Sequence, residues 1–368
     1  MTFDVVIVGG GPAGASCASF CVRAGLRVVV LEREIFPREK VCGDCLNPAC
    51  WDVLRRLGLA EQVRTLPHGI LDRVEFIAIG GRSVTVELPV GDDAEIAVKR
   101  SLLDQLLLER ARTLGTEVFH SAIVTALDKN ESGTWNLRTA KQTFTARVVI
   151  GADGRNSTIA RLGNLLPRPQ RERVALQTHL PLPANFGNRV VLQFLKEGYS
   201  GQAPVGEEQL NVCLVSSPRD IEALKDWATN RFDVSRTHPW RTITPLTRAP
   251  MNPAHGNLLF IGDAARVVEP FTGEGIYYAL RSGELAAEAI VRMLQKSTDA
   301  SALRKFKEAH AAMYRGRLWI NRLARAAVLS PHIASAFVHA ARVQPSMLRL
   351  LTAKIVNQTA RHSNSKTL

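Results

Sequence analysis

The stretch Phe3-Asp4-Val5-Val6-Ile7-Val8, then Gly9-Gly10-Gly11-Pro12-Ala13-Gly14, and finally Val28-Val29-Val30-Leu31-Glu32 decides how the rest of the chain is read. The apolar run predicts a buried strand, residues 15–23 a helix with small apolar side chains, and residues 27–31 a second strand. Gly25 ends the helix, and Glu32 stands at the tip of the second strand, followed by Arg33. Gly9 permits the tight turn, Gly11 lets backbone approach a pyrophosphate, and Gly14 removes a side chain where helix and sheet must meet closely. Pro12 and Ala13 open the helix, whose unpaired N–H groups would face the phosphates. Glu32 would accept hydrogen bonds from a ribose. A glycine pattern alone is weak, but this one lies between two strands with its acid 18 residues after Gly14, the setting of a dinucleotide site.

A chain of 368 residues exceeds a typical single core and predicts two domains. Its 46% hydrophobic and 22% charged residues fit a globular protein. There is no apolar run long enough for a membrane span, and the glycine turn breaks the opening run too early for a secretory signal, so a cytoplasmic location is the default expectation. Cys17, Cys21, Cys42, Cys45, Cys50 and Cys213 follow neither a secreted framework nor zinc spacing, and the nine histidines form no HExxH motif; no metal is expected. The net charge of +13 is uneven: residues 301–368 carry twelve Lys and Arg against Glu308 alone. That tail is either a solvated helical surface or a contact for an anionic membrane, an acidic carrier or a phosphorylated substrate. No aromatic-interleaved module or recognition helix accompanies the charge, which disfavours nucleic acid.

Two further junctions repeat the logic of the first. Residues 147–150 read as a strand opening into Gly151-Ala152-Asp153-Gly154-Arg155, where Asp153 either caps the turn or reaches a cofactor ribose and Gly154 allows close approach. Residues 257–261 form another apolar strand, leading to Gly262-Asp263-Ala264-Ala265 and on to Pro270-Phe271-Thr272-Gly273-Glu274-Gly275-Ile276. A helix starting near Gly273 or Gly275 would turn its N–H groups towards a phosphate or an electron-rich ring, and Asp263 would bind a ribityl hydroxyl. Between the junctions, residues 74–77, 84–88 and 96–98 alternate as strands. Residues 100–114 form a helix striped by Leu102, Leu103, Leu106 and Leu107, residues 118–126, 135–139 and 142–150 are strands, and 189–195 and 209–215 lie in a further strand-rich region. Trp135 is expected to pack in its sheet, with a cofactor contact as the alternative. Helices are expected at about 303–328 and 333–355, the first with Trp319, Ile320 and Leu323 beside Arg322 and Arg325.

Together the three junctions resemble the flavoprotein superfamily built on the para-hydroxybenzoate hydroxylase type of fold, and within it the geranylgeranyl reductases and related FAD-dependent oxidoreductases. The resemblance spans residues 1–295 and is weakest over 176–250. It implies an α/β fold: a Rossmann-like FAD-binding domain from 1–70, 99–175 and 251–295, a substrate domain with an inserted antiparallel sheet from 71–98 and 176–250, and C-terminal helices over 296–368. It places Arg100, within Lys99-Arg100-Ser101-Leu102-Leu103-Asp104, beside the flavin and its phosphates. Lys40-Val41-Cys42-Gly43-Asp44 resembles a loop over the flavin in the reductase branch. Cys42 would shape the pocket, tune the flavin or help protonate substrate, and a covalent role would need its pKa lowered, as Arg38 and Lys40 would favour. A Cys42–Cys45 dithiol and a purely structural loop are the alternatives. Tyr199, in Gly198-Tyr199-Ser200-Gly201, is the candidate catalytic residue of the substrate sheet, although no tryptophan follows it as in many relatives, which leaves substrate identity open.

The resemblance implies FAD, reduced by NADPH or NADH that binds transiently, with the electrons passed to a C=C bond of a prenyl or other hydrophobic substrate, free, phosphorylated or carrier-bound. The competing expectations are a monooxygenase acting on an aromatic or polyketide-like substrate and a flavin-containing partner-binding protein.

Overall fold

The computed structural model describes residues 2–169, 173–206, 208–268, 273–295 and 300–315. The opening run forms β1 (Thr2–Val8), parallel to and between β2 (Val28–Leu31) and β11 (Thr143–Gly151). Beyond β11 lies β18 (Leu258–Phe260), and beyond β2 lies β8 (Glu117–Phe119), both parallel. β17 (Ala254–His255) closes one edge, and the hairpin of β9 (Val124–Lys129) and β10 (Trp135–Thr139) pairs with the first half of β11, making eight strands. Alternation explains why β1 is apolar from Val5 to Val8. Val5 and Ile7 enter the core beneath the main helices, while Phe3, Val6 and Val8 enter a second core on the opposite face. A sheet covered on both sides has no face to leave polar.

The first core is roofed by α1 (Pro12–Arg23), α2 (Cys50–Leu57), α4 (Arg100–Thr113) and α7 (Gly275–Gln295), with α3 (Ala60–Thr65) and α8 (Ala300–Tyr314) at its margin. α5 (Thr158–Leu162) lies on the other face. α1 crosses α7 at very short range: a Cβ on Gly283 would stand 2.4 Å from the Ala13 carbonyl oxygen. Trp135 donates Nε1–H to Asn257 Oδ1 at 2.9 Å from within β10.

A second sheet runs in the order β16 (Arg241–Ile243), β12 (Val174–Pro181), β15 (Gln209–Ser216), β14 (Gly198–Pro204), β13 (Arg189–Leu195), β5 (Arg73–Ile77) and β6 (Ser83–Glu87). It is antiparallel except where β13 meets β5. Its outer face buries Leu176, Leu180, Leu210, Val212 and Leu214 against Ile221, Leu224 and Ala228 of α6 (Ile221–Phe232). Residues 96–98, read from sequence with the substrate-domain strands, instead form β7 (Ile96–Val98) of a separate small sheet, between β3 (Cys45–Leu46) and β4 (His68–Ile70). That small sheet packs against the second sheet. Gly69 of β4 lies so close to β14 that a Cβ there would meet the Pro204 carbonyl oxygen at 1.9 Å.

The segment expected to be helical to about 328 is described only as far as α8 and the turn at Arg315; the rest of that reading, and the helix expected at 333–355, lie outside the described residues. Among the described residues no helix is long and apolar enough to cross a membrane.

Candidate active site

Parallel pairing brings the three glycine junctions to one edge of the first sheet. In register, Val8 of β1 lies beside Leu31 and Gly151, and Gly151 lies beside Phe260. The strand ends at Gly9, Glu32, Ala152 and Ile261 therefore face a common crevice, the place where open α/β sheets bind ligands. Each glycine of the first turn has its own reason. Gly9 has φ of +105° and a Cβ there would be 2.5 Å from the Ala152 carbonyl oxygen; a Cβ on Gly14 would be 1.9 Å from the Gly9 carbonyl oxygen. Gly11 is different, since its Cβ would meet only Arg38 Nη2, at 3.4 Å. It is the open side of the turn. α1 starts there with Pro12 and no side-chain cap, so its first N–H groups face outward beside a guanidinium.

Glu32 is buried at the strand tip, where Oε2 accepts from Gly10 N at 2.6 Å and Oε1 from Glu34 N at 2.9 Å. Its carboxylate braces the glycine turn that it also borders. Arg33 is exposed and pairs with Glu34 at 3.3 Å. Asp153 Oδ2 accepts from Thr158 N at 2.7 Å and Ile159 N at 3.1 Å, so the capping role is the one its geometry displays. Gly154 has φ of +85°, and a Cβ there would lie 3.3 Å from Lys40 Nζ.

A cationic group lines the crevice. Arg100 makes a two-pronged pair with Asp104, at 2.7 and 2.8 Å, and Arg38 Nη1 reaches the same carboxylate at 2.9 Å. Arg155 Nη2 donates to Asp263 at 3.0 Å. Burial lowers the Lys40 ammonium to about 8, with Arg100 adding to the effect and Asp263 opposing it. Arg155 Nε and Nη1 and Asp153 Oδ1 are buried without a hydrogen-bond partner among the described residues. The Arg38 guanidinium beside an uncapped helix start and a bare Gly11 fits a diphosphate group.

The loop 40–44 then passes between this crevice and the inner face of the second sheet. That face has three rows in register: Ala175, Val215, Tyr199 and Phe194; then Gln177, Cys213, Gly201 and Leu192; then His179, Asn211 and Ala203. The first row is apolar and packs with Leu246 and Val41. Tyr199 is 3% exposed within it, in an apolar cluster rather than at the polar contacts of Cys42. The Cys42 carbonyl accepts from Asn211 Nδ2 at 2.9 Å and from the Cys213 thiol at 3.2 Å, and Asp44 Oδ2 lies 2.8 Å from His179 Nε2.

The lowered thiol pKa that a covalent role of Cys42 would need is not what the fold provides. Burial pushes the thiol up, Asp44 adds to the rise, and Arg100, which also hydrogen-bonds the sulfur, only partly offsets it. Cys42 is a protonated thiol, not a poised thiolate. Cys45 is raised further, by burial and then Glu95.

At the third junction Gly262 has φ of +57° and donates its N–H to Ser282 Oγ at 2.9 Å, and Asp263 faces Arg155. Gly273 has φ of +65°, with Glu95 Oε1 and Cys45 Cβ at 3.6 and 3.7 Å from where its Cβ would be. α7 begins at Gly275 and Ile276, and Tyr278 OH donates to buried Glu274 at 3.3 Å. Burial, with the charge of Glu274, pushes the Glu95 carboxyl up to about 7. A Cβ on Gly43 would have open space around it, and Pro270 lies outside the described residues.

Sequence reading brought Lys40, Cys42, Arg100, Gly154 and Asp263 to this place, but missed Asp104, Arg155, Asp44 and His179 as a group. Asp104 had a signal, being four residues after Arg100 on one helix face. His179 had none, because it meets Asp44 from 135 positions away.

The FAD binding domain family matches residues 2–179. Menaquinone reductase of Mycolicibacterium smegmatis is 30% identical over 316 residues, covering 77% of this chain and 75% of that protein. Geranylgeranyl diphosphate reductase of Synechocystis is 28% identical over 324 residues, covering 79% and 76%. The solved structure of the flavin-dependent brominase Bmp2 superposes with a TM-score of 0.78 at 21% identity, over 99% of this chain and 98% of that one, a likeness of fold. The comparisons and the crevice agree: the chain belongs to the FAD-dependent oxidoreductase family that includes menaquinone reductase and the geranylgeranyl reductases, and it shares its fold with flavoproteins such as the brominase.

Proposed function

We propose that this chain reduces a C=C bond in a prenyl or comparably hydrophobic substrate, with electrons from NADPH or NADH. The observation that carries the reading is the position of loop 40–44, between the cationic crevice and the inner face of the second sheet, with apolar residues along that face. FAD held in the crevice supplies the hydride chemistry. The N–H groups of Ala13 and Gly14, with Arg38 and Lys40, would hold its pyrophosphate, and Glu32 would lie towards its ribose. Asp263 would bind the ribityl chain, while backbone donors of Gly273, Gly275 and Ile276 would stabilise negative charge on the ring. Val41, Ala175, Phe194 and Tyr199 hold the substrate chain and exclude water. Cys42, kept protonated, shapes the pocket and accepts through its carbonyl. The basic C-terminal stretch brings this site to an anionic membrane surface or an acidic carrier. The names of the two reductase relatives favour this reading over oxygen insertion.

The test is anaerobic turnover. Purified FAD-loaded protein is reduced with nicotinamide, then mixed separately with a panel of prenyl compounds and with oxygen. Loss of the reduced-flavin spectrum on adding a prenyl compound without oxygen, and a product heavier by two hydrogens, is the expected result. A product carrying new oxygen, formed only in air, would overturn the reductase reading in favour of a monooxygenase.

A further inference from the structure

Reduction of a double bond needs a proton as well as a hydride, and the Cys42 thiol, pushed up by burial, is a poor source. We propose that His179 is the residue that protonates the substrate, held in position by Asp44 across the boundary between the cofactor loop and the second sheet. This inference rests on the reductase reading.

Three independent features converge on the pair. Asp44 Oδ2 is 2.8 Å from His179 Nε2, with side-chain exposures of 1% and 9%. Asp44 also sits at φ of 60°, in the left-handed region, while Gly43 beside it would adopt that conformation without cost. The backbone holds it there, since Val98 N donates to the Asp44 carbonyl at 2.9 Å. Finally, the pair stands at the end of the only polar stretch in the inner rows described above. Gln177 Nε2 is 3.1 Å from Asn211 Oδ1 and 3.2 Å from His179 Nε2, and beside them Cys213 is half-buried and Gly201 has only Leu192 within 4 Å, at 3.6 Å from its Cβ position. A side chain is missing where a substrate chain would lie. His179 Nδ1 has no hydrogen-bond partner among the described residues, so one ring nitrogen is engaged by Asp44 and the other is left to donate. Burial raises the Asp44 carboxyl, with the His179 hydrogen bond and charge opposing, which favours a proton held within the pair.

The step balances with reduced FAD as the hydride source. Hydride forms one new C–H bond; the π electron pair forms the other with the proton leaving Nδ1 of the imidazolium, and the N–H electron pair stays on the ring. Neutral imidazole and the Asp44 carboxylate remain, and solvent restores the proton. The groups facing the pair are Arg100 and Glu39 around Asp44, and the thiols of Cys42, Cys45 and Cys213. The acid form is required, so substrate reduction should slow as pH rises.

The experiment uses FAD-loaded full-length protein, anaerobic, with single-turnover mixing. His179→Gln should reduce the prenyl substrate about 100-fold more slowly, with the falling pH profile lost. Reduction of its FAD by NADPH, reoxidation by an electron-acceptor dye and FAD affinity should stay within about twofold of wild type. Asp44→Asn should shift the pH profile, and Asp44→Glu should restore part of it. Independently, the ring nitrogen NMR signals of His179, assigned by their loss in His179→Asn, should move in Asp44→Asn, because Asp44 Oδ2 engages Nε2. Wild-type rate and profile in His179→Gln, or ring signals unchanged by Asp44→Asn, would overturn the inference alone. A wild-type enzyme that reduces no alkene would overturn the reductase reading and this inference together.

Discussion

Lys40 is an ordinary lysine in sequence and an unusual one in the fold. Burial, helped by the charge of Arg100, lowers its ammonium from 10.5 to about 8. In the protein without cofactor the unfolded chain thus binds more protons between these values, and stability should rise with pH across that window. A diphosphate in the crevice would favour the charged form again. FAD binding at pH 8.5 should therefore take up protons, while binding at pH 6 should not. Calorimetry in buffers of different ionisation enthalpy checks this, and a heat independent of buffer at pH 8.5 would rule it out. Cys42 teaches the opposite lesson about neighbours in sequence. Arg38 and Lys40 lie within four residues of it and would favour a thiolate, but Arg38 is directed to Asp104, and desolvation pushes the thiol up against the opposing charge of Arg100.

Among the elements, the α1–α7 crossing decides whether the first glycine turn can work. Reading residues 1–32 alone shows why α1 needs small residues facing its sheet, but Gly283 is 269 positions after Gly14 and looks like any glycine in a helix. Its Cβ would stand 2.4 Å from Ala13 O and 3.0 Å from Cys17 N, both backbone atoms that cannot rotate away. Gly283→Ala should cost about 1–3 kcal/mol, measured by denaturant unfolding, and weaken FAD binding, because α1 must shift and carry Ala13 and Gly14 with it. Unchanged stability with unchanged FAD affinity would show that the crossing tolerates a wider spacing. Elements with a clear period were legible: β1, β5, β11 and α4 fall close to their expected positions. β7 was legible as a strand but not in its pairing, since three residues carry no information about which sheet receives them.

At the scale of the whole molecule, the excess of positive charge is concentrated in residues 301–368. Co-sedimentation of the full chain with vesicles containing anionic lipid is expected, falling steeply with added salt, and little with neutral vesicles. Equal binding to both would remove the electrostatic reading of the tail. The fold class, the FAD-type crevice and its three glycine junctions were determined by sequence alone, because each is local: a strand, a turn that only glycine allows, and a helix start follow one another within about a dozen residues. Their convergence was decided by the parallel order β2, β1, β11 and β18, which sets four strand ends side by side. The same holds for the meeting of Asp44 with His179, and for the thiol of Cys42 that burial keeps protonated. Those features depend on distant segments packing together and excluding water, and no local pattern of residues records either.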